Sequence, residues 1–228
     1  MKIPHIICYD AGHGGHDPGA VGTDANGNRV EEKGIVLPVC LRSSKILDDH
    51  GIATMQTRSD DRFVGLTERA RIANRAKAGL FLSVHANSAA NRSARGIETF
   101  VWTGTTISEP WGRKVQDAMV SKFPNTPNRG LKKANFTVLS ATAMPACLAE
   151  LGFLSNTQEC TELATQEAQE RHALALAIAS LEMLGVDLIR QQTVADLPEA
   201  EMPYEDQLAE LADIAAELSR QLAELAGR

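Results

Sequence analysis

Apolar and polar residues form two kinds of pattern along residues 1–186. Short apolar runs that end at Gly, Pro or polar residues predict β-strands, and longer stretches with apolar positions three and four residues apart predict helices. The predicted strands span residues 3–9, 52–58, 80–87, 96–102, 136–141 and 145–151, and the predicted helices span residues 32–50, 67–78, 110–123 and 162–184. Strands that alternate with helices in this way indicate an α/β domain with a central sheet.

Polar residues that follow several strands are expected to meet at one edge of this sheet. Ligands of α/β sheets bind at the carboxyl ends of the strands, so the loops there are candidates for a functional site. These candidates are residues 12–15 after the first strand, residues 85–87 at the end of the third, and Glu150 near the end of the last. The order of the elements alone predicts that they converge.

The last part of the chain follows a different pattern. Residues 187–203 contain two prolines and predict a linker, and residues 204–228 predict an amphipathic, coiled-coil-like helix. Its apolar seam steps alternately by three and four residues through Leu208, Leu211, Ala215, Leu218, Leu222 and Leu225, which is the heptad spacing. An isolated helix of this length is marginally stable. We therefore expect it to form a homo-oligomer, with packing onto the preceding domain as the alternative.

Composition and charge exclude several classes of protein. The chain has 228 residues, of which 43% are apolar, enough for one domain with its own core. Residues 199–228 hold eight acids and two arginines, which accounts for the whole net charge of −6. This balance argues against nucleic-acid binding.

No apolar run approaches the roughly 20 residues that span a bilayer. No signal peptide is visible, so the chain as written is expected to be made in the cytoplasm.

Four residues combine unusual surroundings with useful chemistry. Glu150 interrupts the apolar stretch PACLAELGFLSN, where a carboxylate must either be partnered or have a raised pKa. His13 lies among glycines but without the GK[ST] ending of a phosphate-binding loop, and His85 ends an apolar strand. Glu32 opens a helix, where an acid also complements the helix dipole. Each has an ordinary structural explanation when it is considered alone.

Together these residues fit a catalytic zinc site. Such sites use three nitrogen or oxygen ligands from the protein and leave a fourth position for water. A further carboxylate can then move the proton from the water to the leaving nitrogen. The local HExxH motif is absent, so ligands for a zinc ion would come from segments distant in sequence.

Several blocks of sequence carry a family resemblance. They are DAGHGGHDPGA, the pair Glu32-Lys33, LTERARIANRAKAGLFLSVHANS, GIETF, RGLKKANFTVL and MPACLAELGFLSN. In this order, over residues 3–185, they resemble the N-acetylmuramoyl-L-alanine amidases of the Amidase_3 type. The resemblance implies a twisted, mainly parallel sheet flanked by helices. It also implies that His13, Glu32 and His85 bind Zn²⁺ and that Glu150 is the catalytic general base and acid. Glu32 is chosen over Glu31 because it directly precedes Lys33.

The function implied by the resemblance is hydrolysis of the amide between N-acetylmuramic acid and L-alanine in peptidoglycan. Asn87, Arg129, Lys132 and Asn135 fall in the matching blocks and are predicted to line the substrate groove. Two alternatives remain open. A zinc peptidase that cleaves stem peptides would use the same site chemistry, and a non-catalytic peptidoglycan-binding protein would oligomerise through its tail.

The resemblance also suggests where the protein acts. An amidase without a visible signal peptide is typical of a phage endolysin, which is made in the cytoplasm and reaches the cell wall or periplasm after release. The alternative is an exported bacterial cell-wall hydrolase whose leader is missing from this sequence.

Overall fold

Eight strands and six helices make up the described part of this computed structural model, residues 6–187. The strands are β1 Ile6–Ala11, β2 Val21–Thr23, β3 Arg29–Glu31, β4 Ala53–Gln56, β5 Leu80–Asn87, β6 Ile97–Trp102, β7 Asn128–Ala134 and β8 Ala146–Phe153. The helices are α1 Glu32–Asp49, α2 Leu66–Arg75, α3 Glu109–Lys122, α4 Thr137–Ser140, α5 Thr157–Leu163 and α6 Gln166–Leu184. The heptad segment 204–228 and nearly all of the predicted linker lie outside the described residues.

The central sheet has six strands in the order β4-β1-β5-β8-β6-β7. All neighbouring strands are parallel except β6 and β8, which are antiparallel. The predicted mainly parallel sheet is therefore confirmed, with β6 and β7 running against the other four strands. The short strands β2 and β3 form a separate antiparallel pair.

Both faces of the sheet are covered, which explains why its central strands are nearly continuous apolar runs. The larger apolar cluster joins one face of the sheet to α1, α3 and α6, through residues such as Val36, Trp111 and Leu176. The smaller cluster joins the other face to α2 and α4, through residues such as Ala73 and Val138. Successive residues of a strand point to opposite faces, so each central strand contributes to both clusters.

One predicted strand is wrong, and one strand was missed. The segment 136–141 was predicted as a strand, but α4 occupies Thr137–Ser140 and buries Val138 and Leu139 in the smaller cluster. The nearby strand is β7, whose sequence NRGLKKA is polar and contains no residue that is fully buried. An edge strand is paired on one side only and remains largely solvated, so its sequence resembled that of a loop.

The other differences concern boundaries. The predicted helix 162–184 is two helices, α5 and α6, and the side chain of Thr165 caps the second by accepting a hydrogen bond from Ala168 N. The β2–β3 pair was not predicted because strands of three residues carry little periodic signal. The remaining predicted elements are confirmed to within a few residues. Among the described helices, none is long and apolar enough to cross a membrane.

Candidate metal and catalytic centre

Four side chains meet at the carboxyl edge of the parallel strands. His13 follows β1, Glu32 is the first residue of α1, His85 lies on β5, and Glu150 lies on β8. In the register of the two strands, His85 and Glu150 are direct partners. The convergence expected from the order of elements is therefore present, although the four residues are widely separated in the sequence.

The carboxylate of Glu32 lies between two imidazole rings. Its Oε1 is 2.8 Å from His85 Nδ1, and its Oε2 is 3.1 Å from His13 Nε2. One ligand atom from each of the three residues lies within 4.8 Å of the others. Within residues 6–187, this is the one group of three or more His, Cys, Asp or Glu residues close enough for a shared metal ion. The neighbouring Glu31 instead pairs with Arg29 at 2.9 Å.

Backbone donors and the two histidines keep Glu32 ionised. Ala20 N donates to Oε2 at 2.7 Å and Ala86 N donates to Oε1 at 3.0 Å. Burial acts to raise the pKa of Glu32, but the hydrogen bonds and charges of His13 and His85 outweigh it and hold the pKa well below its usual range. A carboxylate that stays ionised while buried is ready to accept a cation.

Glu150 has the opposite electrostatic character. Its Oε2 is buried and has no hydrogen-bond partner among the described residues. Burial raises the pKa of Glu150 well above its ordinary value, and the negative charges of Glu32 and Glu98 add to this effect. Because the two carboxylates have pKa values displaced in opposite directions, Glu32 suits a ligand and Glu150 suits a group that carries a proton.

Comparison with known proteins identifies the family. Residues 7–180 match the Amidase_3 family, described as N-acetylmuramoyl-L-alanine amidase. The chain belongs to this family. It is 37% identical over 182 residues to the endolysin of Bacillus phage SPP1, a match that covers 75% of this chain and 65% of the endolysin. It is 33% identical over 177 residues to the N-acetylmuramoyl-L-alanine amidase CwlM of Bacillus licheniformis, covering 76% of this chain and 68% of that protein.

A solved structure supports the same assignment. The catalytic domain of CwlV, an N-acetylmuramoyl-L-alanine amidase from Bacillus (Paenibacillus) polymyxa var. colistinus, superimposes with a TM-score of 0.75 at 33% sequence identity. The match covers 80% of this chain and 99% of that domain. The amidase family is generally zinc-dependent, and the His13–Glu32–His85 triad is a possible metal site of this member.

Asp17, whose role the sequence interpretation missed, contacts the first histidine of the triad. Asp17 Oδ2 lies 2.8 Å from His13 Nδ1, which leaves Nε2 directed at Glu32. Such outer partners commonly orient histidine ligands. Burial acts to lower the pKa of His13, but the hydrogen bonds and charges of Glu32 and Asp17 together outweigh it and raise that pKa. The signal in the sequence was the position of Asp17, four residues after His13 within the same block.

Glycine is required at two positions around the triad because the chain passes so close to the triad side chains. A Cβ on Gly12 would lie 2.4 Å from Cε1 of the His85 ring. A Cβ on Gly19 would lie 2.5 Å from Oε2 of Glu32 and from Cδ2 of His13, and Gly19 also has a positive φ of 69°. The glycines that made this block look like a ligand-binding loop therefore serve to pack its backbone against the site.

A second polar cluster lies beside Glu150. Glu98 on β6 is 4% exposed. Its Oε1 accepts a hydrogen bond from Asn87 Nδ2 at 2.7 Å, and its Oε2 accepts from Arg129 Nε at 2.7 Å and from Lys132 Nζ. Three of the four predicted groove residues are thus brought together. The carboxylate that joins them was missed in the sequence, where Glu98 is an ordinary polar position of a strand.

The fourth predicted groove residue lies elsewhere. Asn135 follows the end of β7 and pairs with the hydroxyl of Thr103. Because β6 and β7 run against β5 and β8, the carboxyl end of β7 is at the edge of the sheet opposite to the triad. Lys133 also belongs to a different environment, since its Nζ pairs with Glu109 at 2.7 Å.

Proposed function

We propose that this protein hydrolyses the amide bond between N-acetylmuramic acid and L-alanine in peptidoglycan. The observation that carries the proposal is the meeting of a His–Glu–His triad with the carboxyl group of Glu150, whose Oε2 is buried and has no hydrogen-bond partner among the described residues. Membership of the amidase family supports the same reaction. Two of the relatives it matches are named as an endolysin and as an N-acetylmuramoyl-L-alanine amidase, which supports action on the cell wall.

His13, Glu32 and His85 would hold a zinc ion. Two imidazole nitrogens and a carboxylate oxygen are a common ligand set of catalytic zinc sites. The fit is supported by the ionised state of Glu32 and by the hydrogen bond that His13 donates to Asp17, which orients the ring of His13. When bound, zinc would activate a water molecule, polarise the scissile carbonyl and, by its charge, oppose the rise that burial and Glu32 cause in the pKa of Glu150.

Glu150 would carry the proton during the reaction. It would accept a proton from the water that attacks the lactyl carbonyl. As the bond between carbon and nitrogen breaks, it would donate that proton to the nitrogen of L-alanine. The absence of a hydrogen-bond partner for Oε2 within the described structure supports this role, because no competing donor would have to be displaced.

The cluster around Glu98 would bind the stem peptide. Arg129 and Lys132 place two positive charges against the single carboxylate of Glu98, so one positive charge remains to attract an anion. Both side chains are about one-third exposed, at 34% and 39%. We propose that they contact carboxylates of the stem peptide, with Asn87 beside them. Asn135 is left out of this groove because of its position at the other edge.

Analysis of digested peptidoglycan by mass spectrometry tests the proposal. Purified peptidoglycan is incubated with the protein, with and without a chelator. We expect free stem peptides that begin with L-alanine beside intact glycan strands, their loss on chelation and their return with added zinc. Shortened stems still attached to sugar would identify a zinc peptidase instead. Zinc binding without any product would identify a peptidoglycan-binding protein.

Self-association through residues 204–228 remains a proposal from the heptad pattern. Sedimentation equilibrium of the full chain measures its mass in solution. We expect an oligomer whose mass falls to that of one chain in a Leu211→Asp, Leu218→Asp double variant, because a charge in the seam prevents its burial. A full chain that sediments as a monomer would contradict the proposal.

A further inference from the structure

Two buried arginines lie against the loop that carries His13 and take no direct part in the proposed reaction. Arg58 is 0% exposed and Arg69 is 2% exposed. Arginine is rarely buried to this extent, because a charged group taken out of water needs a partner for nearly every N–H. The contacts of the two guanidinium groups therefore indicate what their burial achieves. Half of their eight hydrogen bonds go to main-chain carbonyls of residues 11–13, which we call the histidine loop.

Arg69, on α2, bonds with all three of its nitrogens. Nη1 donates to Asp10 Oδ1 at 2.9 Å and to Ala11 O at 2.6 Å, and Nη2 donates to His13 O at 2.6 Å. Nε donates to Val64 O at 2.7 Å. One side chain thus connects the helix α2 to the strand β1 and to the backbone of a proposed metal ligand.

Arg58 ties the same loop to the helix that carries the second ligand. Its Nε donates to Ala11 O at 2.9 Å, and its Nη2 donates to Gly12 O at 2.8 Å. The same Nη2 reaches Lys33 O at 3.3 Å. Because Lys33 directly follows Glu32, Arg58 fixes the position of the histidine loop relative to the first turn of α1.

Asp10 extends the network to the third ligand. Its Oδ1 accepts a hydrogen bond from Thr57 Oγ1 at 2.6 Å, and its Oδ2 accepts from Ser83 Oγ at 2.7 Å. Ser83 lies on β5, two residues before His85 and on the same face of the sheet. Asp10, which is 0% exposed, therefore connects β1, β5 and Arg69 at one point.

The histidine loop needs such a restraint. His13 has a positive φ of 59°, a conformation that residues other than glycine adopt only where the surroundings hold them in it. The carbonyls of residues 11, 12 and 13 all accept hydrogen bonds from the two arginines. Without these donors, three buried or half-buried carbonyls would lose their partners, and the loop would be free to turn His13 away from Glu32.

We propose that Arg58, Arg69 and Asp10 are positioning residues that hold His13 and Glu32 in metal-binding geometry before any metal arrives. The proposal rests on the metal site of the proposed function but not on which bond the protein cleaves. A network that only supports the fold would give a different result, since its loss would weaken folding without a specific effect on the metal.

Three measurements on the full chain separate these cases. The variants are Arg69→Lys and Arg58→Lys, which keep the charge but lack the planar guanidinium fork whose separate nitrogens reach carbonyls of different segments. The measurements are zinc affinity by competition with a chromophoric chelator, the visible spectrum of the cobalt(II)-loaded protein, and the urea midpoint of the metal-free protein. We expect zinc affinity to fall about 10- to 100-fold, as for other residues that orient metal ligands, and the cobalt spectrum to change.

Tyr9→Phe provides the matched control. Tyr9 precedes Asp10 on β1 and faces the other side of the sheet, where its buried hydroxyl contacts Ser43 and Ser180. We expect this variant to have a lower urea midpoint but an unchanged zinc affinity and cobalt spectrum. If the lysine variants behave in the same way as Tyr9→Phe, the positioning role is overturned.

Two further outcomes are informative. If Arg69→Lys and Arg58→Lys do not fold, Thr57→Val is measured instead, since it removes only the hydroxyl bonded to Asp10. Wild-type zinc affinity and spectrum in Thr57→Val would then overturn the proposal, and weaker binding would support it. Zinc affinity is measured without substrate, so a protein that binds zinc through this network but releases no stem peptide would contradict only the proposed function.

Discussion

His85 and Glu150 lie directly opposite each other on the neighbouring parallel strands β5 and β8. Adjacent strands are about 4.8 Å apart, so the register of the sheet sets the separation between a proposed metal ligand and the proposed proton carrier. The register shifts immediately after this pair, between His85 and Asn87. Such irregularities often occur next to active sites, where they redirect side chains. Here the irregularity lies between His85 and Asn87, whose side chain donates a hydrogen bond to Glu98.

This arrangement predicts that Glu150→Gln separates catalysis from metal binding. We expect the release of stem peptides to fall about 10²- to 10⁴-fold, the usual contribution of a general acid–base group. Zinc content should remain that of the wild type, because Glu150 is not one of the triad residues. Peptide release is measured by mass spectrometry and metal content by elemental analysis. Near-normal activity in this variant would rule out the assigned role of Glu150.

The close approach of the chain to His85 predicts a severe effect of a single methyl group. A Cβ at Gly12 would lie 2.4 Å from the His85 ring, whereas a Cβ at Gly34 would have no atom within 4 Å. We therefore expect Gly12→Ala to lower zinc affinity at least about tenfold. Gly34→Ala, inside helix α1, should leave zinc affinity unchanged and stabilise the fold by about 0.5–1 kcal/mol. Isothermal titration with zinc and urea denaturation measure the two effects, and equal zinc affinity in both variants would contradict the prediction.

The cluster around Glu98 predicts a change in substrate binding without a change in metal binding. Arg129→Gln and Lys132→Gln should each raise KM about three- to tenfold, as expected for the loss of a partly exposed charged contact. Added salt should raise the KM of the wild type more than that of the variants, because salt screens exposed charges.

Lys133→Gln is the control for this prediction. Lys133 is adjacent in sequence to Lys132 but pairs with Glu109, and neighbouring strand residues point to opposite faces. Its KM should equal that of the wild type. If all three variants show the same KM, the cluster around Glu98 does not bind the stem peptide.

His172 predicts that the folded protein loses stability in mild acid. The ring is 2% exposed, stacks on Phe123 at 4.0 Å, and its Nδ1 has no hydrogen-bond partner within residues 6–187. Burial, aided by the charge of Arg171, lowers the pKa of His172 to about 3, against about 6.5 in an unfolded chain. Between these values the unfolded state binds the extra proton. The free energy of unfolding is therefore unaffected by protonation of His172 above pH 6.5 and decreases progressively as the pH falls from 6.5 toward 3.

At pH 5 the difference between the pKa values of His172 in the folded and unfolded states lowers the free energy of unfolding by about 2 kcal/mol. Urea denaturation at pH 7.5 and pH 5 measures it. In His172→Leu, which cannot take up a proton there, the decrease in unfolding free energy between the two pH values should be smaller by about that amount. Equal decreases in the wild type and the variant would mean that His172 is protonated as readily in the folded state as in the unfolded state.

Much of the fold could be predicted from the sequence because its central strands carry a strong local signal. The segments around Leu82 and Leu148 are buried on both faces of the sheet, so they must be continuous apolar runs whatever their neighbours are. The anomaly of Glu150 was visible for the same reason, since a carboxylate stands out in such a run. The resemblance of DAGHGGHDPGA and the blocks that follow it to the amidase family then implied a metal-dependent hydrolase.

Other features were decided only by the tertiary structure, because they depend on which segments become neighbours. NRGLKKA becomes β7 because the edge of β6 offers it a hydrogen-bonding partner. Val138, a residue type that favours strands, instead lies in the short helix α4 and is buried in the smaller apolar cluster. The direction of β7 then separates Asn135 from Arg129. The contacts of Arg58 and Arg69 with the histidine loop join residues about 50 positions apart in sequence, as between Arg58 and Ala11. Local patterns of polarity carry no information about such pairings, because the sequence does not distinguish a buried arginine from a solvent-exposed one.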